Sequence, residues 1–326
     1  MATTDTRRLR VRAGRAEYDV LVGNGLLARM PALLAERGLP AARAVVVSNT
    51  TVGPLYGAAL AEALGAPLLT IPDGEQHKTL ATLGALCQGM LDAGMDRDSL
   101  VIAVGGGVVG DVAGFAAASY MRGVRVVQVP TSLLAMVDAS VGGKTGVDLP
   151  GGKNMVGAFW QPALVVVDVA VLGTLPPVEV RCGLAEALKH GLIDDPALFA
   201  RLETGQTAID AALLEQAIAV KARVVEADAL EHGVRAHLNL GHTFAHAIET
   251  VSGYQWKHGE AVAVGLAGAA RLSAALGLFA QALPARIEAA LTRLGLRCAM
   301  PASTRRRSGK RWPPTRSGAR AGHASC

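Results

Sequence analysis

Three histidines fall in one stretch of this 326-residue chain: His242 and His246, four apart, and His258 twelve residues later. On a helix the first two share a face. Neutral imidazole is a common zinc ligand, and a zinc site that does chemistry uses three protein ligands and keeps one position open. Spacing alone leaves two readings open, a metal site or a pair of structural histidines on a half-buried helix. The hydrolase form of the pair, H-E-x-x-H, is absent, because Thr243 follows His242. A metal here need not activate water for hydrolysis.

A second candidate is the glycine turn Gly105-Gly106-Gly107-Val108-Val109-Gly110, which fits G-x-G-x-x-G. It follows an expected strand and opens an expected helix, the context that gives the pattern meaning. Glycines let the backbone approach a pyrophosphate, and a helix N-terminus offers free N–H groups. The acid usually found about twenty residues on, on the ribose, is missing from Val124–Val129, and Asp111 comes too early. A dinucleotide is therefore expected in a non-standard arrangement, against the alternative of a tight turn without ligand.

Two lysine–glycine segments follow, Gly142-Gly143-Lys144-Thr145 and Gly151-Gly152-Lys153-Asn154. Glycine-rich backbone with a lysine can hold phosphate. The P-loop pattern G-x-x-x-x-G-K-[ST] fails, since Asp138 stands where its first glycine belongs and Pro150 interrupts any following helix. The plain alternative for both segments is a solvated hairpin turn.

The elements that must position these residues change character along the chain. Up to about residue 174, short apolar runs such as Ala44-Val45-Val46-Val47 and Leu100-Val101-Ile102-Ala103-Val104 alternate with helical periods. That alternation predicts an α/β domain with a mostly parallel sheet. Beyond Thr174-Leu175-Pro176, helical stretches are expected over about 176–189, 195–204, 207–229, 240–251, 258–276 and 283–294, with no strand. Two domains are expected, 1–174 and 175–298, with a tail over 299–326. At 51% hydrophobic and 4% aromatic residues the interior is built of Ala, Val, Leu and Gly.

Four cysteines form no C-x-x-C pair, which points to a reduced, cytoplasmic setting. No signal region or membrane span is indicated. The formal charge of +5 belongs to the tail. Residues 303–326 hold seven Lys or Arg and no acid, and without them the charge is −2. Nucleic-acid binding is therefore not expected of the folded body.

Taken in order, the motifs resemble the 3-dehydroquinate synthase family of sugar-phosphate cyclases. They run from Pro72-Asp73-Gly74-Glu75-Gln76-His77-Lys78 through Gly105–Arg122, Val129-Pro130-Thr131-Ser132, Val137–Thr145 and Gly152-Lys153-Asn154-Met155. They continue with Gly183–Gly191 and the histidine stretch from Leu238, covering about residues 8–298. The resemblance implies a Rossmann-like domain, a helical domain and an active site in the cleft between them. It implies conversion of 3-deoxy-D-arabino-heptulosonate 7-phosphate to 3-dehydroquinate and phosphate. The steps are transient oxidation by NAD, phosphate elimination, reduction and aldol closure, in the shikimate pathway. A divalent metal, Zn²⁺ or Co²⁺, is implied as well.

Matched position by position, the family's metal ligands fall on Glu186, His242 and His258. His246 then faces the substrate instead. Lys144, Asn154, Lys189, Lys221, Arg235 and Asn239 match substrate-binding positions, as a substrate with a carboxylate and a phosphate requires. Asp138 and Glu231 match polar positions that orient lysines and move protons, so Lys144, His246, Glu231 and Asp138 form the expected catalytic set. Arg122 matches an arginine that reaches into the neighbouring subunit, implying a homodimer. For NAD, the matches are Asn49, Asp73, Glu75, Lys78, Gly105, Gly106, Gly107, Asp111, Thr131, Ser132, Lys144 and Lys153, with Glu75 the candidate for the missing ribose contact.

The large departure is the tail, which replaces a family segment that includes a phosphate-binding lysine. An altered reading frame is expected there, with a nucleic-acid arm as the competing view. The functional alternatives are a related cyclase of the 2-deoxy-scyllo-inosose or valiolone synthase type, a polyol dehydrogenase, and a non-catalytic NAD- and metal-binding remnant.

Overall fold

The computed structural model describes residues 6–205, 208–253 and 255–300. Nine strands are present among them: β1 (Arg7–Ala13), β2 (Ala16–Gly23), β3 (Ala44–Asn49), β4 (Leu68–Ile71), β5 (Leu100–Gly105), β6 (Arg125–Pro130), β7 (Lys144–Leu149), β8 (Gly152–Phe159) and β9 (Leu164–Asp168). The α-helices of the first half are α1 (Met30–Ala35), α2 (Ala58–Leu64), α3 (Leu80–Asp92) and α4 (Gly107–Ser119). The second half is helical, with α5 (Pro177–Asp194), α6 (Pro196–Glu203), α7 (Ala211–Ala227), α8 (His242–Val251), α9 (His258–Ala275) and α10 (Leu283–Arg293).

Seven strands form one sheet in the order β1-β2-β9-β6-β5-β3-β4. Only the β1–β2 pair is antiparallel; the other pairings are parallel. Every residue of β3, β5 and β9 is buried, which is what a strand covered on both faces demands and why these segments read as unbroken apolar runs. The chain steps from β3 outward to β4, then returns past β3 to place β5 on its other side. The carboxyl ends of β3 and β5 therefore flank a topological switch point, where open α/β sheets take ligands.

Around β3 and β5 the two faces carry separate apolar clusters, one with α3 and α4 and one with α1 and α2. The largest cluster joins Val20, Val22, Val165 and Val167 of the sheet to Leu184, Leu188, Ala217, Ile218, Val262 and Leu266 of the helices. One continuous core thus ties the helical half to the β1-β2-β9 side. Aspartates start two of these helices: Asp195 accepts from Leu198 N at 2.9 Å and Asp210 from Leu213 N at 2.7 Å. No helix of the described residues is long and apolar enough to cross a membrane.

The structure departs from the sequence expectation between Val129 and Thr174, where no strand was expected and three occur. Two, β7 and β8, form a separate antiparallel hairpin with a register shift; Gly151-Gly152 lie at its turn, whereas Gly142 and Gly143 are buried ahead of β7 and form no solvated turn. Glycine-rich and half exposed, the two strands show no period to read. The third, β9, is a five-residue run completing the sheet. A 3₁₀ turn over Leu27–Arg29 leads into α1 at Met30. The tail expected over 299–326 lies outside the described residues from 301 onward.

Candidate metal and nucleotide site

Glu186 lies in α5, in a run from Cys182 to Gly191 that is buried throughout. Its carboxylate is fully buried, and Oε1 faces two imidazoles: His242 Nε2 at 3.6 Å and His258 Nε2 at 3.5 Å. His242 opens α8 and His258 opens α9. Close backbone approach permits this meeting. A Cβ on Gly259 would lie 2.3 Å from Cys182 Cα, so α9 can start against α5 only with glycine there. Gly241, at φ +79, caps α8, and a Cβ on it would lie 2.7 Å from Leu266 N in α9. Each histidine thus neighbours the glycine that lets its helix end dock.

One carboxylate oxygen and two imidazole nitrogens within 4.8 Å of one another suit a divalent cation. Oε1 of Glu186 accepts no hydrogen bond of good geometry, although burial makes an unmet acceptor costly. His242 Nδ1 lies 3.3 Å from the Leu240 carbonyl, which as an N–H donor leaves Nε2 as the lone pair. Burial lowers the His242 pKa to about 4, so the ring is neutral at pH 7. Burial also disfavours the charged form of His258, but the facing carboxylates of Glu186 and Glu249 outweigh it and raise the pKa to about 9. Burial would raise the Glu186 pKa, yet Lys189, with Nζ 2.5 Å from Oε2, and the histidines hold it far below the usual carboxylate range.

Local spacing pairs His242 with His246. The structure brings all three rings together, with centroids 5.7 Å apart for His242–His246, 5.3 Å for His242–His258 and 6.3 Å for His246–His258. Of these three, His242 and His258 close on Glu186 and His246 does not. Burial lowers the His246 pKa.

Charged side chains radiate from this cluster. Asp138 takes an ion pair from Lys189 at 3.5 Å and a short one from Lys221, whose Nζ also donates to the Asp138 carbonyl at 2.5 Å. Burial would raise the Asp138 pKa, but the two lysines hold it well below the ordinary value. Lys144 Nζ lies 2.6 Å from Glu231, which also faces Asn239 Nδ2 at 3.4 Å. Arg235, 1% exposed, donates to the carbonyls of Ala229 at 2.6 Å and Gly142 at 2.8 Å. Arg122 is exposed at φ +66 after α4 and shares no hydrogen bond or ion pair with the other candidates among the described residues.

The nucleotide candidates gather at the switch point. Asn49 ends β3 and donates to Asp73 at 2.7 Å. Gly105 ends β5, its carbonyl accepts from Thr131 N at 2.9 Å, and Ser132 Oγ lies beside Gly106. Helix α4 begins at Gly107 without a side-chain cap, as an anion site at a helix N-terminus requires. Lys78, 4% exposed, binds Asp111 at 2.5 Å and Asn154 at 2.6 Å. Asp111 is therefore occupied by Lys78.

Glu249 was absent from the sequence-based set. It is 3% exposed, with Oε1 3.4 Å from His258 Nδ1 and 3.4 Å from Lys153 Nζ, and Lys153 lies 3.4 Å from Glu75. A polar line thus runs from the metal candidates to the nucleotide side. Glu249 sits one turn beyond His246 in α8, a spacing that could have flagged it.

Comparison with known proteins accords with this geometry. Family models described as 3-dehydroquinate synthase N-terminal and 3-dehydroquinate synthase C-terminal match residues 68–182 and 183–308. The chain is 48% identical over 307 residues to a 3-dehydroquinate synthase of Citrifermentans bemidjiense, covering 90% of this chain and 84% of that one. Among solved structures, a 2-deoxy-scyllo-inosose synthase complexed with carbaglucose-6-phosphate, NAD⁺ and Co²⁺ has a TM-score of 0.82 at 28% identity, covering 91% of this chain and 85% of that one. A 2-epi-5-epi-valiolone synthase from Streptomyces hygroscopicus with NAD⁺ and Zn²⁺ bound has a TM-score of 0.79 at 31% identity, covering 92% and 90%. The chain belongs to the 3-dehydroquinate synthase family.

Proposed function

We propose that Glu186, His242 and His258 hold a divalent metal, and that NAD lies across the carboxyl ends of β3 and β5, in a chain with the family's activity. That activity converts 3-deoxy-D-arabino-heptulosonate 7-phosphate to 3-dehydroquinate and phosphate. The carrying observation is the buried Glu186 Oε1 facing two imidazole nitrogens at 3.5 and 3.6 Å without a well-formed hydrogen bond. The NAD⁺ with Co²⁺ or Zn²⁺ in the two structurally similar cyclases supports both cofactors.

A metal bound there would supply polarisation of the hydroxyl to be oxidised, and bound NAD would supply reversible hydride transfer. The chain's residues do the rest. Lys189, Lys221, Arg235, Asn154, Asn239 and Lys144 form the polar pocket for the substrate's carboxylate and phosphate. Asp138 neutralises and orients Lys189 and Lys221, and Glu231 orients Lys144. His246, beside the metal histidines but outside the ligand set, handles the proton near the phosphate. Asn49, Asp73, Glu75, Lys78, Gly105–Gly107, Asp111, Thr131, Ser132 and Lys153 serve the nucleotide, directly or by holding one another. Residues 1–174 and 175–298 form the two halves of the cleft. Arg122 serves the neighbouring protomer of a homodimer, and the setting is cytoplasmic.

The test is phosphate release from the heptulosonate phosphate with NAD⁺ and Zn²⁺, with and without chelator. Phosphate without net NADH, abolished by chelation, is expected. Net NADH accumulation would instead indicate a dehydrogenase, and no turnover a non-catalytic remnant.

A further inference from the structure

The turn from Asp228 to Arg235 carries two pocket residues but little that would hold its shape. Leu230, His232, Gly233 and Val234 are all exposed, and its apolar contact with the core is the small side chain of Ala229. The anchor is the carboxylate at its start. Asp228 ends α7, and its own N–H closes that helix on Val224 O at 3.1 Å. The chain then curls around the side chain. Oδ1 accepts from His232 N at 2.9 Å, and Oδ2 accepts from Gly233 N at 2.7 Å and Arg235 N at 3.1 Å.

Two consequences reach the pocket. Glu231 sits inside the curl at φ +62, a conformation that favours glycine, and there its carboxylate meets Lys144 and Asn239. Arg235 is fixed at its own N–H, and its buried guanidinium then reaches Gly142 O and lies over Phe159, 5.5 Å from the ring centroid. A carboxylate in a net of backbone N–H groups is a strong acceptor, and those amides push its pKa down to about 2, so it stays ionised through neutral pH.

We propose that Asp228 is a positioning residue for substrate. It sets Glu231 and Arg235, and through Glu231 also Lys144 and Asn239, without touching the substrate itself. This rests on the reading of Glu231 and Arg235 as pocket residues.

Asp168 supplies an internal control. It gathers backbone N–H groups in the same way, from Gly25 and Leu27 at 2.9 Å and Ala170 at 3.0 Å, but none of the segments it ties carries a pocket residue. Asp228→Ala should lower kcat/KM by about ten- to hundredfold, the scale of a roughly 1 Å misplacement, chiefly through KM for the heptulosonate phosphate. Zinc content and NAD⁺ affinity, measured by titration, should stay at the parental level. Asp228→Asn, which keeps one acceptor oxygen, should fall between alanine and parent. Asp168→Ala should lower the thermal midpoint without raising that KM.

The inference is overturned if Asp228→Ala stays within twofold of the parent. It is also overturned if both Asp228 variants lose zinc and NAD⁺ in step with activity, or if Asp168→Ala raises the same KM as much. Glu231→Gln and Arg235→Lys separate the two claims. Parental kinetics in both would remove the pocket reading, whereas losses there with a silent Asp228→Ala would remove only the positioning role.

Discussion

At the carboxyl ends of β3 and β5 the molecule offers backbone. Where α5, α8 and α9 meet, it offers side chains. The first region consists of a glycine turn, an uncapped helix N-terminus and short loops, tied to one another by Asn49–Asp73, Thr131–Gly105 and Lys78–Asp111–Asn154. The second collects one carboxylate and two imidazoles from three helices, none of which carries the whole set. Backbone sites depend on the absence of side chains at a few positions, so added atoms should damage them. Side-chain sites depend on particular donors, so removed atoms should damage them. The Glu249–Lys153–Glu75 line is a direct polar connection between the two.

Removing a donor tests the difference most severely. His242→Ala should weaken zinc binding by more than about 100-fold, since loss of even an outer-shell partner costs 10–100-fold. Turnover should go with it while NAD⁺ binding persists. Zinc retained in His242→Ala would break the assignment.

The next effect comes from protons. His258 has its pKa raised from 6.5 to about 9. In the metal-free protein its protonated form stabilises the fold, fully below about pH 6.5, and that contribution is lost as pH rises through 9. Metal must displace this proton, so zinc affinity should climb about tenfold per pH unit across that window and flatten above it. The thermal midpoint of the metal-free protein should fall over the same range. Zinc titrations and melts from pH 6 to 9.5 check both.

Adding an atom on the other side is expected to do less. A Cβ on Gly105 would lie 2.5 Å from Val109 Cγ2 and 2.6 Å from its Cβ. Gly105→Ala should destabilise by about 1–3 kcal/mol, the range for overpacking, and weaken NAD⁺ binding with zinc affinity unchanged. Equal losses of both ligands would show that the regions are not independent.

The smallest effect should be at the connection. Glu249→Gln keeps shape but removes a charge facing His258, so zinc affinity should fall about tenfold. The pH dependence of zinc binding should shift to lower pH as the His258 pKa drops. An unchanged profile would remove Glu249 from the metal's surroundings.

The sequence was most legible where chemistry and structure share a local cause. Buried parallel strands must be apolar on both faces, so β3, β5 and β6 announced themselves, and the glycines after β5 marked a turn before a helix. The helices after residue 176 were legible from their period. The β7–β8 hairpin and β9 were not, because half-exposed, glycine-rich strands carry no alternation and a five-residue apolar run is ambiguous between strand and helix. In the site, residue types and spacing showed that three histidines could do metal chemistry, and family resemblance supplied Glu186.

By itself, then, the sequence determined the element types, the backbone turn at Gly105–Gly107 and the inventory of donors. The tertiary structure alone decided which donors converge. It placed α9 against α5 at Gly259, turned Glu186 toward His242 and His258 rather than His246, and brought Glu249 and Asp228 to the edges of the site. The physical reason is that period and propensity act over a few residues, whereas convergence depends on how helices dock. That is set by contacts such as a missing Cβ against a neighbouring backbone, which no local pattern records.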